Sequence, residues 1–224
     1  GSNEFSIVTS GYGMDNEQEL AVIEESLRKI TAETELDPCA SLGIVSKETL
    51  LRLKEAGLTN YHHNIETAPS YHAEIVKTHS FEEELQAIRN AKEVGLKVCA
   101  GGIFGMGETL AQRVEFIYEV KKISPNSFPI NFLNPRPGTP LENKHELTPL
   151  DCLKIIAVSR LAMPSMDIFV LGGREVNLRD LQPLIFQAGA NGTMVGNYLT
   201  TAGRSPDQTV KMIADLGLEI VASH

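Results

Sequence analysis

The sequence predicts an α/β fold, a (β/α)8 TIM-type barrel in which the first βα unit is absent and seven units are present. Three observations carry the prediction. Short β-branched or apolar runs alternate with amphipathic segments at a spacing of roughly thirty residues, which demands parallel strands joined by right-handed crossovers. Residues able to do chemistry gather where strand-like runs end, in NYHHNIET (60–67), KVCAGGIFGMGET (97–109), FPINFLNPRPGTP (128–140) and FVLGGREVN (169–177). A doubly wound open sheet would place a GxGxxG turn after its first strand, and GYGMDN (11–16) lacks the third glycine. Reactive ends on at least four strands suit a barrel mouth better than a single crevice.

Each element has a local reason. Strands are expected at 5–10, 37–42, 60–65, 97–103, 128–133, 167–171 and 193–195, bounded by Gly, Pro, Asn or Asp. The helix at 16–31 carries Leu20, Ile23, Leu27 and Ile30 on one face. Ser46 opens a helix that stops at Gly57 (46–56), and Ser80 with Glu83 has the spacing of a capping box for 80–94. A helix follows at 110–123. Thr148 and Pro149 start the next (148–162), one more is expected at 177–188, and Ser205 with Pro206 starts the last (205–216). There is no internal repeat or low-complexity linker, so residues 1–224 are expected to form a single, incomplete barrel domain.

Composition narrows the function. A net charge of −9, with Lys and Arg scattered, argues against nucleic acid or an anionic membrane as partner. Apolar runs are strand-sized, so no membrane span is expected. Three cysteines, Cys39, Cys99 and Cys152, make no disulfide framework and no CxxC or CxxxCxxC loop, which fits a reducing cytoplasm. The chain opens Gly1-Ser2 rather than with Met, and is expected to be the remainder of something longer.

In a strand, His62, Asn64 and Glu66 share one face while His63 and Ile65 take the other, so His62 and His63 cannot serve one metal from the same side. An amide and a carboxylate two residues apart suit a sugar diol or a cyclic urea, or merely line a polar mouth. Gly101 and Gly102 permit close backbone approach, Ile103 offers a flat apolar contact, and Glu108 stands at the start of a helix. Asn131, inside a strand, needs a partner, either a ligand or a neighbouring backbone group. Arg174 is expected at a strand end, where with Gly172, Gly173 and Gly196 it could hold an anion. Cys39 and Cys99 fall mid-strand on different strands, either packed as small apolar groups or sharing a metal cluster.

Taken together, NYHHNIET, KVCAGGIFGMGET, PINFL with GTPL, GGREVNLR and NGTMVGNYLTT, in that order, resemble the biotin synthase family of radical S-adenosylmethionine (SAM) enzymes, from Gly1 to about Glu219. The resemblance implies a radical SAM core followed by a C-terminal part associated with biotin and thiamin synthesis. It implies insertion of sulfur into dethiobiotin, the last step of biotin biosynthesis. The implied cofactors are S-adenosylmethionine, a [4Fe–4S] cluster that makes the 5′-deoxyadenosyl radical, and an auxiliary [2Fe–2S] or other iron–sulfur cluster. It implies that Asn64 and Glu66 hold the ribose hydroxyls of S-adenosylmethionine, that Ile103 touches the adenine, and that Asn64 and Asn131 meet the ureido ring of dethiobiotin. Cys39, Cys99 and Arg174 would be metal ligands of the auxiliary cluster. An electron donor such as flavodoxin or ferredoxin and a homodimer are the implied partners.

The sequence departs from that family pattern in places. Ser6 stands where many members have a further cluster cysteine, His62 replaces a common Asn, and Glu66 a common Asp. The unit that carries the CxxxCxxC loop is absent, so the chain alone is expected to be inactive in cleaving S-adenosylmethionine and to expose an unpaired barrel seam. Two other readings stand beside this one: a phosphate-binding barrel lyase or aldolase built on Arg174, and a non-catalytic barrel remnant.

Overall fold

The computed structural model describes residues 4–14, 16–198 and 202–221. Gly1-Ser2 and residues 199–201 of the NGTMVGNYLTT run lie outside them. The elements run β1 (Glu4–Val8), α1 (Glu17–Glu33), β2 (Asp37–Ser41), α2 (Lys47–Glu55), β3 (Asn60–His62), α3 (Pro69–Ile75), α4 (Phe81–Glu93), β4 (Lys97–Cys99), β5 (Gly102–Phe104), α5 (Leu110–Ile123), β6 (Ser127–Phe132), α6 (Pro149–Ala162), β7 (Asp167–Val170), α7 (Arg174–Leu178), a 3₁₀ turn (Arg179–Leu181), α8 (Leu184–Ala188), β8 (Gly192–Thr193) and α9 (Pro206–Asp215).

All named strand pairs are parallel, in the order β1-β2-β3-β4-β6-β7-β8, with β5 also on β6. β4 and β5 keep one register against β6, Cys99 opposite Ser127 and Gly102 opposite Ile130, so they are two pieces of the single strand expected at 97–103. The seven strand positions form an open part-barrel. Among the described residues β1 pairs only with β2 and β8 only with β7. Parallel pairing with intervening helices is what the alternating pattern requires.

Strand alternation separates two environments. Ala40, Tyr61, Val98, Phe128, Ile130, Ile168 and Val170 point outward under the helices and are fully buried. They join Leu27, Leu50, Leu53, Ile88, Phe116, Val120 and Ile156 from the helices in one continuous core. The opposite faces of the same strands carry Ser6, Cys39, His62, Cys99, Pro129 and Asn131, a polar inner wall. The hydrophobic effect thus acts between sheet and helices and leaves the interior free for chemistry.

Helix starts follow the expected caps. Ser46 Oγ accepts from Thr49 N, Ser205 Oγ from Gln208 N, and Ser80 with Glu83 forms a full capping box. Thr148 with Asp151 forms another, with Pro149 in the first turn. At α1, where no cap was expected, Asn16 Oδ1 accepts from Gln18 N and Glu19 N. Three expectations need correction. The helix at 177–188 is α7, a 3₁₀ turn and α8, because Pro183 lacks the N–H a continuous helix needs. The strand at 193–195 is Gly192–Thr193, two residues. The segment between β3 and α4 holds a further helix, α3, whose Pro69 sits in the first turn without a side-chain cap.

Candidate active site

The inner wall encloses an open cavity of about 430 Å³ lined by residues from six strand positions and the loops after them, among them Ser6, Ser41, His62, Asn64, Glu66, Cys99, Pro129, Asn131 and Leu171. Asn64, Glu66, Cys99 and Asn131 therefore meet in one cavity. Ile103 is half-buried in register with Asn131, but is not among the lining residues.

The β3 ladder continues past its regular pairing. His63 N donates to Cys99 O and Ile65 N to Gly101 O, after which Ile103 N donates to Glu66 O. Glu66 sits in the left-handed region with φ 58°. A Cβ on Gly102 would lie 2.2 Å from Glu66 O, so glycine is what lets the two backbones touch. The strained turn aims the Glu66 carboxyl into the cavity, where burial, then the charge of Glu84, raise its pKa to about 7, against lowering by His63, His79 and a bond with Asn64. Near neutrality this carboxyl is partly protonated and can donate as well as accept a hydrogen bond.

Asn131 is held at both ends. Its Nδ2 donates to Gly102 O at 3.1 Å and its Oδ1 accepts from Gly172 N at 2.9 Å, tying β5 to the loop after β7 across β6. One N–H and one lone pair remain for a ligand. The loop after β5 is shaped by Glu108, whose carboxylate accepts from Gly105 N and Met106 N at 2.8 Å each and from Arg113 Nε at 2.8 Å.

Cys39 and Cys99 share the inner face. Burial raises both thiols, Cys99 to about 11, and the charge of Glu4 adds to the rise at Cys39. Both are protonated as they stand, and a bound metal would have to displace those protons. Glu4, Cys39 and His62 place ligand atoms within 4.8 Å of one another, so His62, expected only as a wall residue, faces a thiol. Cys152 lies in α6, in the outer core, its thiol pushed up to about 12 by burial.

Arg174 is not where the sequence places it. It is the first residue of α7, fully buried, and its guanidinium turns toward β8: Nη1 donates to Thr193 Oγ1 and to Met194 O at 3.2 Å, Nη2 to Glu175 Oε1 at 3.1 Å. It does not line the cavity with Cys99. Gly173, with φ 72°, packs so tightly under Phe132 O that the chain turns into α7 one step before Arg174, carrying its side chain off the inner wall. The sequence reading also missed a buried group at the cavity edge. Glu84, from α4, contacts Nε2 of both His63 and His79. His63 lies far from Glu84 in the chain and His79 in a connection before the helix, so neither gives a periodic signal, and only the fold-back of α4 brings them together.

The chain matches the Radical SAM superfamily over residues 3–119 and the Biotin and Thiamin Synthesis associated domain over residues 129–219. It is 58% identical over 98% of its length to a biotin synthase of Anaeromyxobacter dehalogenans (strain 2CP-C), of which it covers 61%. It is 48% identical over 99% of its length to a biotin synthase of Geotalea daltonii, of which it covers 68%. The chain belongs to the biotin synthase family of the radical SAM superfamily. It spans about three fifths of the length of the Anaeromyxobacter relatives. Among solved structures, that of methylornithine synthase superposes with a TM-score of 0.80 at 23% identity, covering 98% of this chain and 68% of that one. The [FeFe]-hydrogenase maturase of Carboxydothermus hydrogenoformans gives 0.76 at 18%, covering 96% and 55%. These neighbours share the fold: an α/β part-barrel of the radical SAM type. Among the described residues no helix is long and apolar enough to cross a membrane.

Proposed function

We propose that this chain is the dethiobiotin- and nucleoside-binding wall of a biotin synthase, an enzyme that inserts sulfur into dethiobiotin with an S-adenosylmethionine-derived radical, drawing electrons from a carrier such as flavodoxin or ferredoxin. The observation that carries the reading is the convergence of Asn64, Glu66 and Asn131 on one cavity that also contains Cys99.

The residues fit S-adenosylmethionine at Asn64 and Glu66. A carboxyl whose pKa is raised to about 7 beside an amide supplies both acceptors and donors for a ribose diol, and Ile103 stands in register beside it as an apolar contact. Bound there, the nucleoside would supply the hydrogen-abstracting group. The chain's own part is to hold the substrate carbons against it and to keep water out. Asn131 performs the first task, because its amide is fixed by Gly102 and Gly172 and offers a pre-oriented N–H and lone pair to a cyclic urea.

The residues do not fit a [4Fe–4S] radical cluster: Cys39, Cys99 and Cys152 lie on β2, β4 and α6, and the third is in the outer core. For an auxiliary iron–sulfur cluster the fit is partial. Cys39 and Cys99 face inward, Ser6 and His62 line the same wall, and the Arg174 guanidinium is bound through Nη1 and Nη2 to Thr193, Met194 and Glu175 while its Nε is buried without a partner. We therefore assign an auxiliary cluster to Cys39 and Cys99, and assign Arg174 to anchoring β8. That anchoring also deprives the lyase reading of its phosphate grip. We further infer a single barrel domain that works as a homodimer.

Calorimetric titration with dethiobiotin tests the assignment. The parent chain is expected to bind, and Asn131→Ala to weaken binding by about 1–3 kcal/mol, the cost of a lost buried hydrogen bond. Equal dissociation constants for parent and variant would refute Asn131 as the ureido contact.

A further inference from the structure

At the cavity, four ligand-type side chains come together from separate segments: His63 after β3, His72 in α3, His79 in the α3–α4 connection and Glu84 in α4. Glu84 is 4% exposed, His63 6% and His72 2%. Each Glu84 oxygen faces a different imidazole, Oε1 the Nε2 of His79 and Oε2 the Nε2 of His63. Ligand atoms of His72, His79 and Glu84 all lie within 4.8 Å of one another. Independently, His72 Nε2 is buried with no hydrogen-bond partner, whereas His63 Nε2 is taken up by the Glu84 carboxylate. An orphaned imidazole nitrogen beside a buried carboxylate is expensive in a polypeptide alone, and in the neutral ring it can present a lone pair suited to a metal.

We propose that His72, His79 and Glu84 form a binding site for a single divalent transition-metal ion of the zinc or ferrous class, with His63 holding the second Glu84 oxygen as an outer partner. Two imidazoles and one carboxylate match the borderline-soft preference of such ions and fall outside the all-oxygen sets that calcium and magnesium take. The surroundings hold the rings as outer-shell partners would. Thr78 Oγ1 lies 2.9 Å from His79 Nδ1, leaving Nε2 for the centre. Tyr61 stacks on His63, and Phe81 meets His72 edge-on. An ion has a way in, since His63, His79 and Glu84 all border the open cavity. Once there it would tie the end of β3 to α3 and α4, fixing the wall beside Glu66, and would answer the negative charge of Glu84. This is a site distinct from the Cys39–Cys99 face and does not depend on what is assigned there.

The test is cobalt(II) titration of the whole chain, purified anaerobically and stripped of metal, followed by zinc displacement and thermal denaturation. One equivalent of cobalt is expected to give ligand-field bands without a sulfur-to-cobalt charge-transfer band. Zinc is expected to abolish them and raise the melting temperature. Glu84→Gln and His72→Ala should each weaken binding at least about 100-fold, since even outer-shell changes cost about 10–100-fold. His79→Gln, at the cavity rim, supplies the same readout if the buried variants do not fold. Cys39→Ala with Cys99→Ala should leave the bands unchanged. Absence of ligand-field bands in the parent, or bands that survive Glu84→Gln and His79→Gln and vanish with the cysteines, would overturn the site.

Discussion

Replacing Glu66 with Gln should make the protein more stable at alkaline pH and flatten part of its pH profile. The Glu66 carboxyl ionises at about 7 in the fold instead of the ordinary 4.5, mainly because burial disfavours its charged form and Glu84 opposes it. At 1.36 kcal/mol per pH unit, that rise corresponds to a ceiling of about 3 kcal/mol on the ionised form. Glu66 is half-buried at an open cavity, so solvent screens part of this, and about 1–2 kcal/mol is the expected effect. The sign follows from proton counts. Below pH 4.5 the carboxyl is neutral in both folded and unfolded chains and Glu66 costs nothing extra. Between 4.5 and about 7 the unfolded chain has lost the proton and the folded chain keeps it, so the Glu66 contribution falls as pH rises. Above about 7 the full penalty is in place. His62 and His72, whose pKa values burial lowers, act in the opposite sense near pH 6, but they are common to both proteins. The assay is urea denaturation of parent and Glu66→Gln at intervals from pH 4.5 to 8.5, under reducing conditions. Their stability difference should grow in favour of the variant across that window and level off above it. A flat difference, or a parent more stable at pH 8, would refute the buried-carboxyl argument.

Other perturbations separate anchoring from cluster binding. Arg174→Met removes the buried guanidinium from Thr193, Met194 and Glu175 and should cost about 2–4 kcal/mol of stability, while iron and sulfide taken up on reconstitution stay unchanged; lost iron would return Arg174 to the cluster. Cys39→Ala with Cys99→Ala should abolish the sulfide and the iron that accompanies it, measured by iron and sulfide analysis, and undiminished sulfide would remove both thiols from the assignment. Gly102→Ala forces a Cβ to 2.2 Å from Glu66 O and should cost at least about 2 kcal/mol in urea denaturation, with weaker nucleoside binding because Glu66 is displaced; a neutral effect would show that the β3–β5 contact is dispensable.

Where the sequence spoke clearly, the reason is periodicity. Leu20, Ile23 and Leu27 could only face the sheet, and Phe128, Ile130, Cys99 and Asn131 could only alternate across it. The caps at Ser46, Ser80 and Thr148 are local hydrogen bonds written within four residues, so they needed no tertiary knowledge. Arg174 defeated the same reasoning because its direction is decided by Gly173 pressed against Phe132 O, forty residues away in the chain. Asn131 was legible as a strand residue in need of partners. That two backbone groups, Gly102 O and Gly172 N, already take half its capacity was not, since both partners come from other units. The same limit hid the contacts of Glu84. On α4 it reads as one of three consecutive acids, Glu82, Glu83 and Glu84, and nothing local marks the third. Yet Glu83 is spent on the helix cap and Glu84 is the one turned under the sheet between two imidazoles. A run of like charges at a helix start is usually solvated, and here the capping box fixes the helix rotation that buries its last member. A residue that reads as one of a surface acid run thus acts on the wall, its charge adding to burial in raising the Glu66 carboxyl.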